Sequence, residues 1–259
     1  MSASSNHPVA LTIAGSDCSG GAGIQADLKT FQHFGVHGLS AVTSIVAETP
    51  LEVRQIEPVE IPLLQDQVNI LMETYPIKAI KTGLLPSRMC IIAMAEILEK
   101  QEIPIVIDPV MIASTGAALM DGDTPETLCD RLLPLATLIT PNMPEASAIL
   151  GRKISTKSDF EAAARDISEK YHAACLLKGG HLPGLDERLD VLWHEGKSHH
   201  FTHPAADVPE GIHGTGCTLS SAITAGIALD QPLEIAVEKA IDFVQHLIHN
   251  AHQWEYHHQ

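Results

Sequence analysis

Six short apolar runs, each ending in a polar or glycine-rich turn, constrain this chain more than any other feature. They are Val9–Ala14, Ala41–Ala47, Ile77–Thr82, Ile103–Ile107, Ala136–Thr140 and Ala173–Leu177. Near-continuous apolar runs of this length mark strands buried on both faces of a parallel sheet. Segments of helical period separate them: Gly23–Phe34 (Ile24, Leu28 and Phe31 on one face), Pro62–Met72 (Leu64, Val68, Leu71), Arg88–Glu99 and Asp159–Tyr171. Arg188–Trp193 and Ser198–Thr202 read as a hairpin turning at Glu195 and Gly196. Two helices close the chain, from about Gly216 and about Leu233. This alternation predicts an α/β fold: three α/β/α layers around a mostly parallel central sheet. No repeat or linker-like shift in composition divides the chain. Residues 1–8 are expected to be a flexible N-terminus and residues 9–259 a single domain.

The polar residues cluster where the strands end. The turns are Gly15–Gly23, Glu48-Thr49, Lys81-Thr82-Gly83, Asp108-Pro109, Thr140-Pro141-Asn142 and Lys178-Gly179-Gly180. In a parallel sheet all these carboxyl ends share one edge, and ligands of open α/β sheets bind along it. Each turn alone is ordinary, because turns favour Gly, Asp, Asn and Pro. Charged Glu48, Asp108 and Lys178 directly after buried strands are not.

Composition narrows the ligand. Thirty-two acidic residues against sixteen Lys plus Arg give a formal charge of -16 over 259 residues. That excludes nucleic-acid binding, which needs a basic surface, and docking on anionic lipid. No apolar run approaches the about 20 residues of a membrane span, and no secretory signal opens the sequence. Five scattered cysteines without a CxxC pair argue against a disulfide framework or a zinc site, and for a cytoplasmic protein.

The strongest local signal is Gly214-Thr215-Gly216-Cys217-Thr218, which opens a helix whose apolar side carries Leu219, Ile223 and Ile227. Two glycines permit close backbone approach. The free N–H groups of a helix start, at the positive end of its dipole, receive anionic oxygens such as those of a transferring phosphoryl group. An ordinary glycine-rich N-cap has the same pattern. Cys217 lies in that first turn, where a thiol pKa is expected to fall, so it would accept a proton from a hydroxyl or hold it in line. The bland reading is a small buried hydrophobe. Gly20-Gly21-Ala22-Gly23 is not a GxGxxG fingerprint and no GxxxxGK[ST] occurs, which disfavours a dinucleotide fold and a P-loop. Among fifteen histidines, His199, His200 and His203, or His246, His249 and His252, invite a metal reading, but no HExxH or acidic partner at ligand spacing supports it.

Several stretches together resemble one family. Ala10-Leu-Thr-Ile-Ala-Gly-Ser-Asp17, Gly20-Gly-Ala-Gly-Ile-Gln-Ala-Asp-Leu-Lys-Thr30, Ile139-Thr-Pro-Asn-Met-Pro-Glu145, Leu177-Lys-Gly-Gly-His181 and His213-Gly-Thr-Gly-Cys-Thr-Leu-Ser220 look like the hydroxymethylpyrimidine/phosphomethylpyrimidine kinases of thiamine biosynthesis, of the ribokinase-like superfamily. The likeness runs from about Val9 to about His249. It implies transfer of the γ-phosphate of Mg-ATP to an aminopyrimidine hydroxymethyl group and then to the resulting monophosphate. By similarity Gly214, Thr215, Gly216 and Cys217 form the anion hole, Lys178 neutralises phosphate charge, and Asn142 stands near the phosphates. Asp108 and Glu145 hold Mg²⁺, directly or through water. Gly15, Asp17, Ala22, Gly23, Asp27, Glu48, Leu84 and Val110 form the acceptor pocket, and Met111–Leu119 covers the phosphates. The resemblance also implies a homodimer.

Three positions depart from related patterns. Superfamily sugar kinases carry Asp where this chain has Cys217, and a thiol, which stays neutral, would tolerate an acceptor that is already a phosphate. Leu84 replaces a frequent Met, a mild apolar swap. Glu48 stands where the family usually has Gln. A carboxylate only accepts hydrogen bonds, so it would pair with an amino group and a protonated ring nitrogen, and binding would weaken at high pH. Glu48 also keeps pyridoxal kinase activity open as an alternative. A non-catalytic ligand sensor is disfavoured by intact Cys217, Lys178 and Asp108. A cysteine hydrolase has only His213 as a nearby base.

Overall fold

A computed structural model describes residues 7–111, 119–120, 122–154, 156–179, 187–204 and 213–250. Residues 112–118 of the expected covering loop lie outside the described residues, as do residues 1–6, Gly180, His181, His252, His257 and His258.

In chain order the elements are β1 (Val9–Asp17), α1 (Gly23–His33), β2 (His37–Thr49), β3 (Glu52–Pro58), α2 (Ile61–Thr74), β4 (Ile77–Thr82), α3 (Arg88–Leu98), β5 (Ile105–Ile107), α4 (Thr124–Thr127), β6 (Leu138–Ile139), α5 (Met143–Leu150), α6 (Lys157–Tyr171), β7 (Ala174–Leu177), β8 (Glu187–His194), β9 (Lys197–Pro204), α7 (Thr215–Ala228) and α8 (Leu233–His249). One nine-stranded sheet runs β3-β2-β1-β4-β5-β6-β7-β8-β9. Neighbours from β2 through β7 pair parallel, and β3, β8 and β9 add antiparallel edges.

Alternation along the strands builds the two flanking layers. Leu11 and Ile13 of β1 join Leu64, Ile91, Ala146 and Phe160 in a core with α2, α3, α5 and α6. Ala10 and Ala79 face the other way and pack with Phe31 of α1 and Ala225 of α7. Val106, Leu138 and Leu176 meet Ile223 of α7 and Val237 of α8 on that same face. The small residues at Ala10, Ala79 and Ala225 bring α1 and α7 close to the strands. That closeness sets up the buried polar contacts described below.

Four features differ from the sequence expectation. β3 has no buried residue; its alternating, mostly polar sequence suits an edge strand and hides it from a search for apolar runs. α5 follows Pro141-Asn142, which read as a turn, yet Asn142 is its N-cap and Pro144 lies in its first turn. β1 and β2 extend beyond their apolar cores into polar ends, since the ladder is set by backbone pairing. Between α4 and β6 the chain makes one π turn (Leu128–Leu132) and one 3-10 turn (Leu133–Leu135) that no sequence period announced. The hairpin turn at Glu195 and Gly196 is present, both at positive φ. Among the described residues all five cysteines are free, and no helix is long and apolar enough to cross a membrane.

Candidate active site

The carboxyl ends of the parallel strands enclose a cavity of about 480 Å³ together with the start of α7 and one face of α8. The strand order divides its wall. β1, β2 and β4 supply one side through Gly15, Val46, Glu48 and Leu84; β5, β6 and β7 lead into Asp108, Asn142 and Lys178 on the other.

The second side is built to receive negative charge. Gly214 is the N-cap of α7 with φ 78° and makes no side-chain capping bond, so the first amides of the helix are unspent. Lys178 Nζ lies 2.9 Å from Asp108 Oδ1, and a Cβ on Gly216 would stand 3.3 Å from that Nζ. The lysine is therefore directly beneath the glycine turn. Burial works against the Lys178 ammonium, but Asp108 and then Glu145 raise its pKa above the ordinary value. Burial likewise pushes the Asp108 carboxyl up, and Lys178 and Lys81 more than offset it, leaving the carboxyl below its usual range. Thr140 Oγ1 lies 3.3 Å from Asp108 Oδ1. Ser220 Oγ is 3.2 Å from Asp108 Oδ2 and 3.0 Å from Gly216 O, so its single proton serves either the carboxylate or the helix. Asn142 is tied into this wall twice. It bridges to Lys178 across the β6–β7 seam, and it forms a capping box with Glu145, whose amide donates to Asn142 Oδ1 at 2.9 Å.

Glu145 is nearly fully buried, and burial, with Asp108 close by, pushes its carboxyl up to about 7 despite Lys178. Two buried carboxylates facing a cavity, with their charge incompletely matched by one lysine, fit a hard divalent cation. Mg²⁺ is commonly held by one or two carboxylates plus phosphates and water. Among the described residues no three His, Cys, Asp or Glu side chains converge as a ligand set. The histidines of the hairpin have acidic partners instead: His203 lies 3.2 Å from Asp190, His200 3.3 Å from Glu161 and His194 2.7 Å from Glu234.

On the acceptor side Gly15, Ala22, Gly23, Glu48, Leu84 and Val110 line the cavity. Burial, followed by the like charge of Asp17, pushes the Glu48 carboxyl up to about 7. Asp17 and Asp27, expected in this wall, are not among the lining residues, and both are fully buried. Asp17 is the keystone of the turn after β1: its carboxylate accepts from the amides of Ser19 (2.7 Å), Gly21 (3.0 Å) and Ala22 (2.7 Å). Burial opposes that charge, and the bonds from Ala22 and Ser19, with His213, still hold its pKa below the usual range. Asp27 lies under the floor. Its carboxylate accepts from Thr12 Oγ1 (2.6 Å), Lys81 Nζ (2.9 Å) and Ser221 Oγ. Thr12 and Lys81 are register partners on β1 and β4, which places both beneath α1 and α7.

Cys217 lines the cavity at the junction of the two sides. Its thiol is not activated as the helix start suggested. Burial pushes it up to about 11, Asp27 and Asp108 add to the rise, and Lys81 and the Gly23 amide offset only part of it. Near neutral pH the group is a thiol. Thr12, Ser220, Ser221 and Asp190 were not singled out from sequence, and Lys81 was read only as part of a strand-end turn. A lysine inside the apolar strand Ile77–Thr82 and a Ser-Ser pair one turn after Gly216 were the available signals.

The sequence profile of phosphomethylpyrimidine kinase matches residues 17–259. A hydroxymethylpyrimidine/phosphomethylpyrimidine kinase of Haemophilus influenzae is 40% identical over 244 residues, covering 93% of this chain and 90% of its own length. A longer Schizosaccharomyces pombe relative of that kinase type is 41% identical over 255 residues, 92% of this chain, and the chain spans only 46% of that relative's length. The crystal structure of phosphomethylpyrimidine kinase from Clostridium difficile superposes with a TM-score of 0.83 at 37% identity, covering 93% of this chain and 99% of its own. Pyridoxal kinase from Staphylococcus aureus in complex with AMP-PCP and pyridoxal superposes with a TM-score of 0.85 at 32% identity, covering 96% and 90%.

Proposed function

The chain belongs to the phosphomethylpyrimidine kinase family, and on that footing we propose that it phosphorylates 4-amino-5-hydroxymethyl-2-methylpyrimidine and then its monophosphate with ATP, as a step of thiamine biosynthesis. The observation that carries this reading is the uncapped start of α7 set over the Lys178–Asp108 pair, with an acceptor pocket across Cys217.

The chemistry follows from that arrangement. Little covalent work falls to the protein in phosphoryl transfer; positioning and charge stabilisation dominate. The amides of Thr215, Gly216 and Cys217 meet the equatorial oxygens of the migrating group, and Lys178 neutralises charge on the same oxygens. Asp108 and Glu145 would hold Mg²⁺, which supplies further neutralisation of the phosphate chain. Asn142 keeps Lys178 and Glu145 in register. The acceptor hydroxyl attacks phosphorus as the bond to the β-phosphate oxygen breaks. Its proton hydrogen-bonds to the Cys217 sulfur, which orients the oxygen, and leaves to a non-bridging oxygen of the transferred group. A neutral thiol lets the second acceptor, already a phosphate, approach without charge repulsion. Glu48 contacts the amino edge of the ring. Residues 9–259 act as one kinase unit in the cytoplasm, assembled as a homodimer.

Incubation with Mg-ATP and the free pyrimidine, followed by mass analysis, is expected to yield the monophosphate and then the diphosphate. Absence of any phosphorylated pyrimidine overturns the reading. Pyridoxal kinase activity is the second reading, favoured by the likeness to the Staphylococcus aureus enzyme; pyridoxal assayed in parallel distinguishes it.

A further inference from the structure

We infer that His213 is a positioning residue, a latch through which the acceptor-side turn holds the phosphate-side turn in register; the inference rests on the kinase reading for its activity test. The two turns, residues 17–23 and 213–217, come from opposite ends of the chain. Nothing in local sequence aligns them, yet transfer requires the anion hole and the acceptor hydroxyl to be fixed relative to each other within a fraction of an ångström.

The seam between them is closed on both sides. A Cβ on Gly214 would overlap the carbonyl oxygen of Gly21, and a Cβ on Gly21 would overlap the His213 ring. The Nε2–Cδ2 edge of the ring therefore lies against the Gly21 Cα. Its Nε2 is 3.0 Å from Ser19 Oγ and 3.5 Å from Asp17 Oδ2. Asp17 already organises the acceptor-side turn through the Ser19, Gly21 and Ala22 amides. The ring carries that order across the seam to Gly214, the next residue, whose left-handed conformation aims the first amides of α7. The His213 side chain is 9% exposed, while its Ser19 partner lies open to solvent.

Loss of such a latch misaligns transfer more than it weakens binding, although the ring also lines the cavity, so it lowers kcat and largely spares KM. His213→Ala is expected to lower kcat for the pyrimidine at least tenfold, with KM for pyrimidine and ATP within about threefold of wild type. His213→Gln, which keeps an N–H donor at similar reach, restores kcat to within about threefold. Gly21→Ala drives a methyl into the ring and loses at least as much as His213→Ala; the double variant Gly21→Ala/His213→Ala, with room made for the methyl, recovers part of the loss of Gly21→Ala. Ser19→Ala removes the ring's partner, together with one hydroxyl bond to Asp17, and keeps the test open if His213→Ala does not fold: kcat falls about threefold at unchanged KM. A second readout needs no substrate. Amides of residues 19–22 exchange about tenfold faster in Ser19→Ala and His213→Gly than in wild type. The latch is overturned if kcat of His213→Ala or Ser19→Ala stays at the wild-type value, if the loss falls in KM alone, if the double variant is worse than Gly21→Ala, or if exchange is unchanged. A wild-type protein that phosphorylates no pyrimidine sinks the kinase reading instead, and the exchange comparison still decides the latch.

Discussion

Two lysine–aspartate pairs lie under the first turns of α7, and they have the same chemistry in different surroundings. Lys178–Asp108 and Lys81–Asp27 both close at 2.9 Å. Consecutive serines of one helix serve them, Ser220 toward Asp108 and Ser221 toward Asp27. The side chains of Lys81 and Asp27 are 0% exposed, whereas Lys178 retains 16%. The open pair faces a cavity and meets whatever anion enters it. The sealed pair is satisfied by Thr12, Ser221 and its own partner, and its charges reach the site as a field on Cys217 and Asp108. The same residue types thus divide into a cavity-facing pair and a sealed architectural pair by access alone. A buried ion pair is weak as a net source of stability but expensive to break on one side.

The largest test of that division is to remove each lysine. Lys81→Ala strands the Asp27 carboxylate and is expected to cost about 3–5 kcal/mol, read by urea unfolding, a large part of a typical folding free energy of about 5–15 kcal/mol. Lys178→Ala should change stability by no more than about 1 kcal/mol, because cavity water reaches Asp108, while kcat falls by about 10²–10³. A Lys178→Ala protein that unfolds as readily as Lys81→Ala breaks the comparison. Next is Cys217→Asp, which puts a carboxylate between the two pairs. Measured as kcat/KM, the second phosphorylation should fall at least about tenfold more than the first, the second acceptor being an anion; equal losses remove the proposed reason for a thiol here.

The serines sharpen the contrast at smaller scale. Ser221→Ala is expected to lower stability by about 1–3 kcal/mol through a lost buried bond to a charge. Ser220→Ala should leave stability nearly unchanged, since its proton is shared with a helix carbonyl, and lower kcat several-fold; reversed outcomes in denaturant and steady-state assays would invert the assignment.

Glu48 gives the smallest effect, on the acceptor side. Its folded pKa of about 7 exceeds the ordinary 4.5. Between those values the folded state binds more protons than the unfolded one, so the contribution is fully present below about 4.5 and is lost as pH rises through about 7. Glu48→Gln should therefore raise Tm by about 2–4 °C at pH 8 and leave it unchanged at pH 5. Pyrimidine binding should weaken above pH 7 in wild type and stay level in Glu48→Gln. A level wild-type profile with Glu48 still required contradicts a shared proton.

The parallel core of the sheet was legible because its strands are apolar throughout and end in marked turns. Glu48, Asp108, Asn142 and Lys178 could be assembled on one rim without any contact information, since parallel pairing alone collects carboxyl ends; Gly214–Cys217 and Glu145 joined them only through the family resemblance. β3 was not legible, because an edge strand with a polar face carries no apolar run. Asp17 and Asp27 were misplaced into the pocket wall for a related reason: sequence put them near the rim but said nothing of which way each carboxylate turned. The Cys217 thiol was expected low from the helix start, a local effect, and is high because burial and two carboxylates from distant elements outweigh it.

Sequence by itself determined the layered fold, the edge on which the polar strand ends collect and the glycine-rich helix start beside them, because period, turn chemistry and chain direction are local. Tertiary packing alone decided which charged pair meets solvent, which serine serves which carboxylate and how His213 meets Asp17, because access and dielectric are properties of the packed neighbourhood. Those neighbours lie up to 196 positions apart along the chain, since 213 minus 17 is 196.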